Sequence, residues 1–257
     1  MAGKLILVKG AVSIKVCVIT DNEYLYRNFV EIIKSDFYQN DIFEFYFSSC
    51  NSAFLERYKH TPFGPVNLRE KDESFFSQYD IFFSLHSKQI FPDSLVNHHI
   101  CINIHPGYNP YNRGWFPQVF SIINKKPVGV TIHKMDEQLD HGPIIFQQEV
   151  EIFEYDTSFD VYQRIQITEI AMLTKYLPTI LHGNYICKPM CGNGNLNTRQ
   201  DFKALCELNL EQTATYGEVI DHLRAVTFPG YRNAFFKTED GHKIYVTLKL
   251  EIANDEV

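Results

Sequence analysis

Short apolar runs alternate with helix-like stretches through the first half of the chain. Ile14 to Thr20 and Tyr79 to Leu85 are dense in apolar residues, and Asp41 to Ser48 alternates, so each predicts a strand. Apolar residues at helical spacing follow the first of these runs, and Asn22 is placed to cap the helix that they predict. Ile100 to Ile104 is typical of a strand buried on both faces of a parallel sheet. The order of these elements predicts an α/β sheet protein.

The pattern continues with longer elements up to about residue 182. Trp115 to Asn124 predicts a helix with Pro117 in its first turn, and Asp156 to His182 predicts a long helix that ends or breaks near Pro178. The other predictions are a short helix at Asn51–Tyr58, an irregular connection at Lys59–Glu73, and strands at Val128–Lys134 and Ile144–Ile152.

The composition changes after Gly183, and Gly192 to Asn197 reads as a loop that cannot pack. We therefore predict two domains, residues 1–190 and residues 191–257. The second contains a helix at Tyr216–Val226 and a hairpin whose strands are Ala234–Phe236 and Ile244–Leu250. The predicted fold is a Rossmann-like, mostly parallel sheet with a small C-terminal α+β appendage that ends in a β-hairpin.

Composition and charge exclude several classes of protein. The net charge of the 257 residues is −7, and no basic run exceeds Lys125-Lys126, which argues against a nucleic-acid partner. The chain has no Gly-x-Gly-x-x-Gly motif for a nicotinamide or flavin cofactor, and its six cysteines lack the spacing of a metal site. No apolar run reaches the ~20 residues of a membrane span. We expect a cytoplasmic protein with reduced thiols, without membrane insertion and without a metal.

Three polar side chains are candidates for catalysis. Asn103 and His105 leave the same face of a strand that stops at Pro106-Gly107, and Asp140 lies in a turn that closes at Gly142. Ligands bind at the carboxyl ends of strands in open α/β sheets. The three residues meet there only if the strands that precede them are neighbours.

These residues belong to three short motifs that occur in order. They are Asn103-x-His105-Pro106, then Arg113-Gly114-x-x-Pro117, then Val130-Thr131-Ile132-His133-x-x-Asp136-x-x-x-Asp140-x-Gly142. The combination resembles the formyltransferases that use N10-formyltetrahydrofolate. Within that family, the stretches His105 to Lys125 and Phe228 to Phe236 look most like the bacterial enzymes that formylate nucleotide-linked amino sugars. The resemblance implies the formyltransferase fold and an N-formyltransferase activity.

The resemblance also implies roles for the three catalytic candidates. Asn103 would donate to the oxyanion that forms on the formyl group, and His105 would accept the proton of the attacking amine. Asp140 would orient His105 or relay protons. N10-formyltetrahydrofolate is the implied co-substrate, and two loops are implied to hold its pterin ring. The implied cofactor-binding residues are Gln89, Ile90, Phe91, Asp136 and Leu139.

The acceptor implied by the resemblance is a dTDP-linked amino sugar, dTDP-4-amino-4,6-dideoxyglucose, for lipopolysaccharide O-antigen synthesis. Aromatic faces at Phe228, Tyr231 and Phe235 are candidates for stacking on thymine, with Arg232 and Asn233 as polar contacts. Asn22, Tyr24 and Lys88 follow strands at the same sheet edge and are candidates for sugar or pyrophosphate contacts. Tyr108 and Arg113 lie in the loop after His105 and complete the substrate-binding set.

Other functions remain open on the sequence alone. The acceptor could be a 3-amino isomer or a UDP-linked sugar, and a formyltetrahydrofolate hydrolase would use the same three catalytic residues. A purine-pathway transferase, a tRNA formyltransferase and a non-enzymatic folate-binding module fit less well. An apolar face at Ile244, Val246, Leu248 and Leu250 predicts a homodimer through the C-terminal end.

Overall fold

The structure is a computed structural model that describes residues 13–253. Strands β1 to β11 are Lys15–Thr20, Ile42–Ser48, Gly64–Val66, Ile81–Leu85, Cys101–His105, Arg113–Gly114, Val128–Lys134, Ile144–Val150, Leu196–Asn197, Phe235–Lys237 and Lys243–Tyr245. Helices α1 to α8 are Glu23–Ile33, Ser52–Tyr58, Glu73–Phe76, Asp93–Val96, Pro117–Asn124, Ser158–Leu181, Arg199–Cys206 and Tyr216–Val226.

A seven-stranded, mostly parallel sheet has the strand order β3-β2-β1-β4-β5-β7-β8. Strand β1 pairs in parallel with β2 and β4, whereas β7 pairs antiparallel with β5 and β8. A separate antiparallel pair, β10 and β11, forms the C-terminal hairpin. The predicted fold class is confirmed, including the small appendage.

The chain divides into two compact units at residues 100 and 101. In the first unit, β1 and β4 are almost wholly buried because their residues are apolar on both faces. Phe47, Phe54, Tyr58 and Phe63 form an aromatic cluster on the β2 side of this unit. Asn22 caps α1 by accepting a hydrogen bond from the backbone N–H of Leu25 at 3.1 Å, as the sequence predicts.

The second unit is built around β5, β7 and β8. Ile102, Ile104, Val130 and Ile132 are fully buried in this part of the sheet. The long helix α6 buries Ile165, Leu173 and Leu177, and it continues through Pro178 to Leu181. The predicted domain boundary near residue 190 is a different division of the chain and stays a prediction.

Three local predictions are wrong. The connection Lys59–Glu73 contains β3 and a 3₁₀ turn at Leu68–Glu70, because Gly64 to Val66 pairs with the end of β2. Helix α7 was not predicted from the sequence. It begins with a capping box formed by Thr198 and Asp201. The second hairpin strand ends at Tyr245 rather than Leu250, and Leu248 instead donates its backbone N–H to Thr227 at 3.3 Å.

Candidate active site

Asn103, His105 and Asp140 converge in the second unit. The amide nitrogen of Asn103 donates to Oδ1 of Asp140 at 2.8 Å, and Nδ1 of His105 faces the same oxygen at 3.4 Å. Asn103 is 8% exposed and His105 is 3% exposed. From the sequence, the three residues could meet only if the strands that precede them are neighbours. Strands β5 and β7 are indeed neighbours in the sheet.

Asp140 is held in place from three sides. Its backbone is in the left-handed region with φ of 49°, which aspartate tolerates better than most residues. Oδ2 accepts the backbone N–H of Gly114 at 3.0 Å, and the backbone carbonyl accepts the Asn109 amide at 2.8 Å. One carboxylate oxygen is therefore fixed by the loop after β5, and the other is directed at Asn103 and His105.

His133 is a member of this cluster that sequence reasoning missed. It lies opposite Asn103 in the β5–β7 register, and its Nε2 is 3.3 Å from the Asn103 amide nitrogen. Its Nδ1 is 2.7 Å from the backbone carbonyl of Lys134, so Nδ1 carries the hydrogen and Nε2 accepts. Burial lowers the pKa of His133, which keeps the ring neutral. The sequence signal that could have identified His133 is that it is a titratable residue near the end of an apolar strand.

Thr131 and Gln147 anchor the loop that follows His105. The Thr131 hydroxyl donates to the Gly107 carbonyl at 2.7 Å and accepts the backbone N–H of Asn109 at 3.1 Å. The Gln147 amide donates to the same hydroxyl at 2.9 Å and to the Asn109 carbonyl at 2.8 Å. Strands β7 and β8 thus fix the start of the loop through two side chains to which the sequence analysis assigned no role.

The end of the loop that follows His105 is fixed by Gly192 to Asn197, the segment that the sequence predicted to be an unpacked loop. Strand β9 pairs in parallel with β6, and the Asn112 side chain, fully buried, accepts hydrogen bonds from the amides of Asn195 and Asn197 at 2.7 and 3.2 Å. A Cβ at Gly194 would lie 2.1 Å from the Pro110 carbonyl oxygen, so the two segments approach as closely as glycine allows. The prediction of a loop that cannot pack is wrong, because asparagine side chains replace apolar contacts here.

The candidate cofactor residues after β4 differ in exposure. Ile90 is 61% exposed, whereas Phe91 is 3% exposed and belongs to the core of the first unit. The Gln89 side chain is engaged within the unit, since its Oε1 accepts the backbone N–H of Leu68 at 2.9 Å and its Nε2 donates to the Val66 carbonyl at 3.2 Å. Of these three side chains, Ile90 is the one presented to solvent.

The candidate cofactor residues after β7 form a braced turn. Asp136 accepts the backbone N–H of Gln138 at 2.9 Å and faces Nδ1 of His141 at 2.8 Å. Leu139 is 44% exposed, and its carbonyl accepts the Arg113 guanidinium at 3.3 Å. The structure thus places Arg113, a candidate substrate contact, against the turn that carries Asp140.

The remaining substrate candidates near the sheet lie on loops or helix starts. In the first unit, the Asn22 amide nitrogen is 3.3 Å from Nδ1 of His86, Tyr24 is 42% exposed, and Lys88 is exposed. In the second unit, Tyr108 is half-buried in the loop after β5. Their roles as substrate contacts stay predictions.

The C-terminal candidates fall into two groups within the second unit. Phe228 packs edge-on against Phe159 and Tyr231, with centroid distances of 5.1 and 5.7 Å. Phe235 instead shares the lining of a cavity of about 640 Å³ with Arg232 and Asn233. Asn233 also donates to the Val226 carbonyl at 2.9 Å. Tyr231, 68% exposed, is the most accessible of these rings.

Residues 13–253 contain neither a cluster of metal-ligating side chains nor a helix that could span a membrane. No group of three or more His, Cys, Asp or Glu side chains there is arranged to hold a metal ion. In the same part of the chain, every helix is too short or too polar to span a membrane.

Comparison with known families agrees with this site. Residues 80–177 match the family described as "Formyl transferase". This matched segment includes Asn103, His105 and Asp140. Residues 201–252 match the "N-formyltransferase dimerization C-terminal domain".

Three similar proteins extend the comparison. The dTDP-4-amino-4,6-dideoxyglucose formyltransferase of Mycobacterium tuberculosis (strain ATCC 25618 / H37Rv) is 44% identical over 72% of this chain and 79% of its own. A 4-N formyltransferase from Francisella tularensis is 43% identical, with a TM-score of 0.89 over 93% of this chain and 99% of that one. The sugar 3N-formyl transferase WlaRD, solved with dTDP and 5-N-formyl-THF, is 23% identical over 87% of this chain and 83% of its own, with a TM-score of 0.69, and shares the fold.

Fold and site together define an enzyme that transfers a formyl group. The chain belongs to the sugar N-formyltransferase family.

Proposed function

We propose that the protein transfers the formyl group of N10-formyltetrahydrofolate to the amine of a dTDP-linked amino sugar, dTDP-4-amino-4,6-dideoxyglucose. The observation that carries the proposal is the meeting of Asn103 and His105 at one oxygen of Asp140. The named relatives from Mycobacterium and Francisella support the choice of a 4-amino sugar. The product would serve O-antigen synthesis in the cytoplasm.

His105 is the proposed base for the attacking amine. A carboxylate oxygen only accepts hydrogen bonds, so Asp140 favours the tautomer in which Nδ1 carries the hydrogen. Nε2 then keeps its lone pair for the proton that the amine loses. Asp140 also stabilises the imidazolium that results, because its charge lies beside the ring.

Asn103 is the proposed donor to the formyl oxygen, where negative charge develops. Its amide nitrogen has two hydrogens, one directed at Asp140 at 2.8 Å and one at His133 at 3.3 Å. The contact with the neutral His133 ring is the longer and the weaker of the two. We propose that Asn103 keeps its bond to Asp140 and turns its second hydrogen from His133 to the formyl oxygen.

The residues of the two candidate cofactor loops fit the folate co-substrate. In the first unit, Ile90 is a large apolar side chain left 61% exposed on the loop after β4. In the second unit, Leu139 is left 44% exposed on the turn that carries Asp140. Each apolar surface by itself is a candidate contact for the planar face of a pterin ring. When bound, the folate supplies an activated formyl group, and the role of Gln89, Phe91 and Asp136 is to shape the loops that receive it.

A panel of acceptors tests the substrate. The protein, N10-formyltetrahydrofolate and single dTDP- or UDP-linked amino sugars are incubated, and mass spectrometry detects the gain of one formyl group. We expect formylation of dTDP-4-amino-4,6-dideoxyglucose and a much slower reaction of the 3-amino isomer. The amine must come within about 3–3.5 Å of the formyl carbon, so the wrong regioisomer should lose turnover more than binding.

Three outcomes of this panel contradict the proposal. Modification of the 3-amino sugar alone would overturn the regiochemistry, and modification of UDP-linked sugars alone would overturn the nucleotide. Release of formate without a modified sugar would identify a hydrolase instead. A His105→Asn sample serves as the blank for uncatalysed formyl transfer.

We also propose that the protein is a homodimer through its C-terminal end, for which the match of residues 201–252 to a dimerization domain is the support. Ile244 is 43% exposed and Ile252 is 66% exposed, and such apolar side chains favour a protein partner. Light scattering at micromolar concentration should give twice the mass of one 30.0 kDa chain. Ile244→Glu should shift the mass toward the monomer, whereas Glu239→Lys in the hairpin turn should not. A monomeric wild-type protein would refute the proposal.

A further inference from the structure

Asp21 is a carboxylate that lies directly after β1 and takes no part in the proposed chemistry. It is 9% exposed and accepts four hydrogen bonds. Oδ1 accepts the backbone N–H of Ser48 at 3.1 Å and the Asn51 amide at 2.8 Å. Oδ2 accepts the Ser48 hydroxyl at 2.5 Å and the backbone N–H of Lys88 at 2.7 Å. One side chain thus ties together the ends of β1 and β2 and the loop after β4.

The four partners require a carboxylate at this position. Backbone N–H groups and amide nitrogens only donate, and each oxygen of Asp21 faces at least one of them. An asparagine would place its NH₂ group against the Lys88 N–H or against the two donors at Oδ1. Either orientation removes hydrogen bonds that a charged acceptor makes stronger than neutral ones.

Ser48 extends the contact network to Gln89. Its hydroxyl donates to Asp21 and accepts the Gln89 amide at 3.3 Å. The side-chain amide of Gln89 also donates to the Val66 carbonyl, and its Oε1 accepts the backbone N–H of Leu68. Asp21 therefore holds the backbone of Lys88 directly and the side chain of Gln89 through Ser48.

We propose that Asp21 is a positioning residue that sets the conformation of the loop carrying Gln89, Ile90 and Phe91 for the formyl donor. The inference rests on the proposed function, because that loop is a candidate folate site. Asp21 acts through the Lys88 N–H and Ser48 rather than by touching the folate. Its loss should therefore weaken use of the folate and leave the chemical step little changed.

Asp21→Asn tests this role in the full-length enzyme. We expect the KM for N10-formyltetrahydrofolate to rise about 10-fold or more, the effect of losing a hydrogen bond to a charged group. We expect kcat at saturating concentrations of both substrates to stay within about two-fold of the wild type. Ser48→Ala keeps the carboxylate and removes one of its donors, so it should raise the same KM by a smaller factor.

Asp156→Asn is the control for destabilisation alone. Asp156 is 2% exposed and pairs with Arg164 at 2.9 Å in the second unit, so its loss should lower the melting temperature without a selective change in the folate KM. Equal folate KM values for the wild type and Asp21→Asn would overturn the inference, as would an equal rise in Asp156→Asn. A wild-type protein that neither transfers formyl groups nor binds 5-formyltetrahydrofolate in calorimetry would instead overturn the proposed function beneath it.

Discussion

Asn103→Ala and His105→Asn are each expected to abolish most formyl transfer while leaving the fold intact. Loss of an oxyanion donor commonly lowers kcat by about 10²–10³, and loss of a general base by about 10²–10⁴. Asn103→Ala also leaves Asp140 and His133 without the amide that faces both of them. The measurement is kcat with the 4-amino sugar at saturating folate, with circular dichroism to compare the folds.

His99→Asn is the matched control for the histidine substitution. His99 pairs with Glu73 at 3.0 Å in the first unit and belongs to no candidate site. Its replacement should leave kcat near the wild-type value. Near wild-type turnover in either Asn103→Ala or His105→Asn would remove the proposed mechanism.

Gly107→Ala is the second substitution with a large expected effect, and it acts through His105. A Cβ at position 107 would lie 2.4 Å from Nε2 and 2.8 Å from Cδ2 of the His105 ring. Both distances are far below van der Waals contact, so the ring must move from its position beside Asp140. Displacing a catalytic group by about 1 Å can lower the rate about 10²-fold, and we expect a loss of that order in kcat.

Gly64→Ala is the control for Gly107→Ala, because a Cβ at Gly64 meets nothing within 4 Å. It should leave kcat unchanged. When Gly107→Ala is added to a His105→Ala variant, kcat should fall little below that of His105→Ala alone, because the ring that the new Cβ displaces is already absent. Additive losses in the double variant would show that Gly107 acts on something other than His105.

The sequence predicts the regular elements of this protein well where one period dominates. Strand β7 and helix α8 have the bounds that their patterns predict, and the fold class follows from the order of such elements. Strands β6 and β9 escape prediction because two-residue strands in a stretch rich in asparagine and glycine have no period. Their pairing is decided by contacts between distant segments.

The candidate site shows the same division. Asn103 and His105 are recognisable because they interrupt and end an apolar run, and Asp140 is recognisable because its motif is specific. His133 is part of the third motif, but its contact with Asn103 follows from the β5–β7 register, which sets the two residues opposite each other. Thr131 and Gln147 read as ordinary strand residues, since nothing in their neighbours reveals that they hold the loop after His105.

The parallel pair β6–β9 has a consequence for how the site forms during synthesis. The Asn112 side chain accepts hydrogen bonds from Asn195 and Asn197, which leave the ribosome long after β5 and β7. Until then its oxygen lacks two of its donors and β6 lacks its partner strand, although the contacts of Asn112 with Ser121 and Asn124 can already form. A fragment that stops at residue 190 would contain Asn103, His105 and Asp140 and still lack the segment that pairs with β6. We therefore expect such a fragment to have less formyltransferase activity than the full chain.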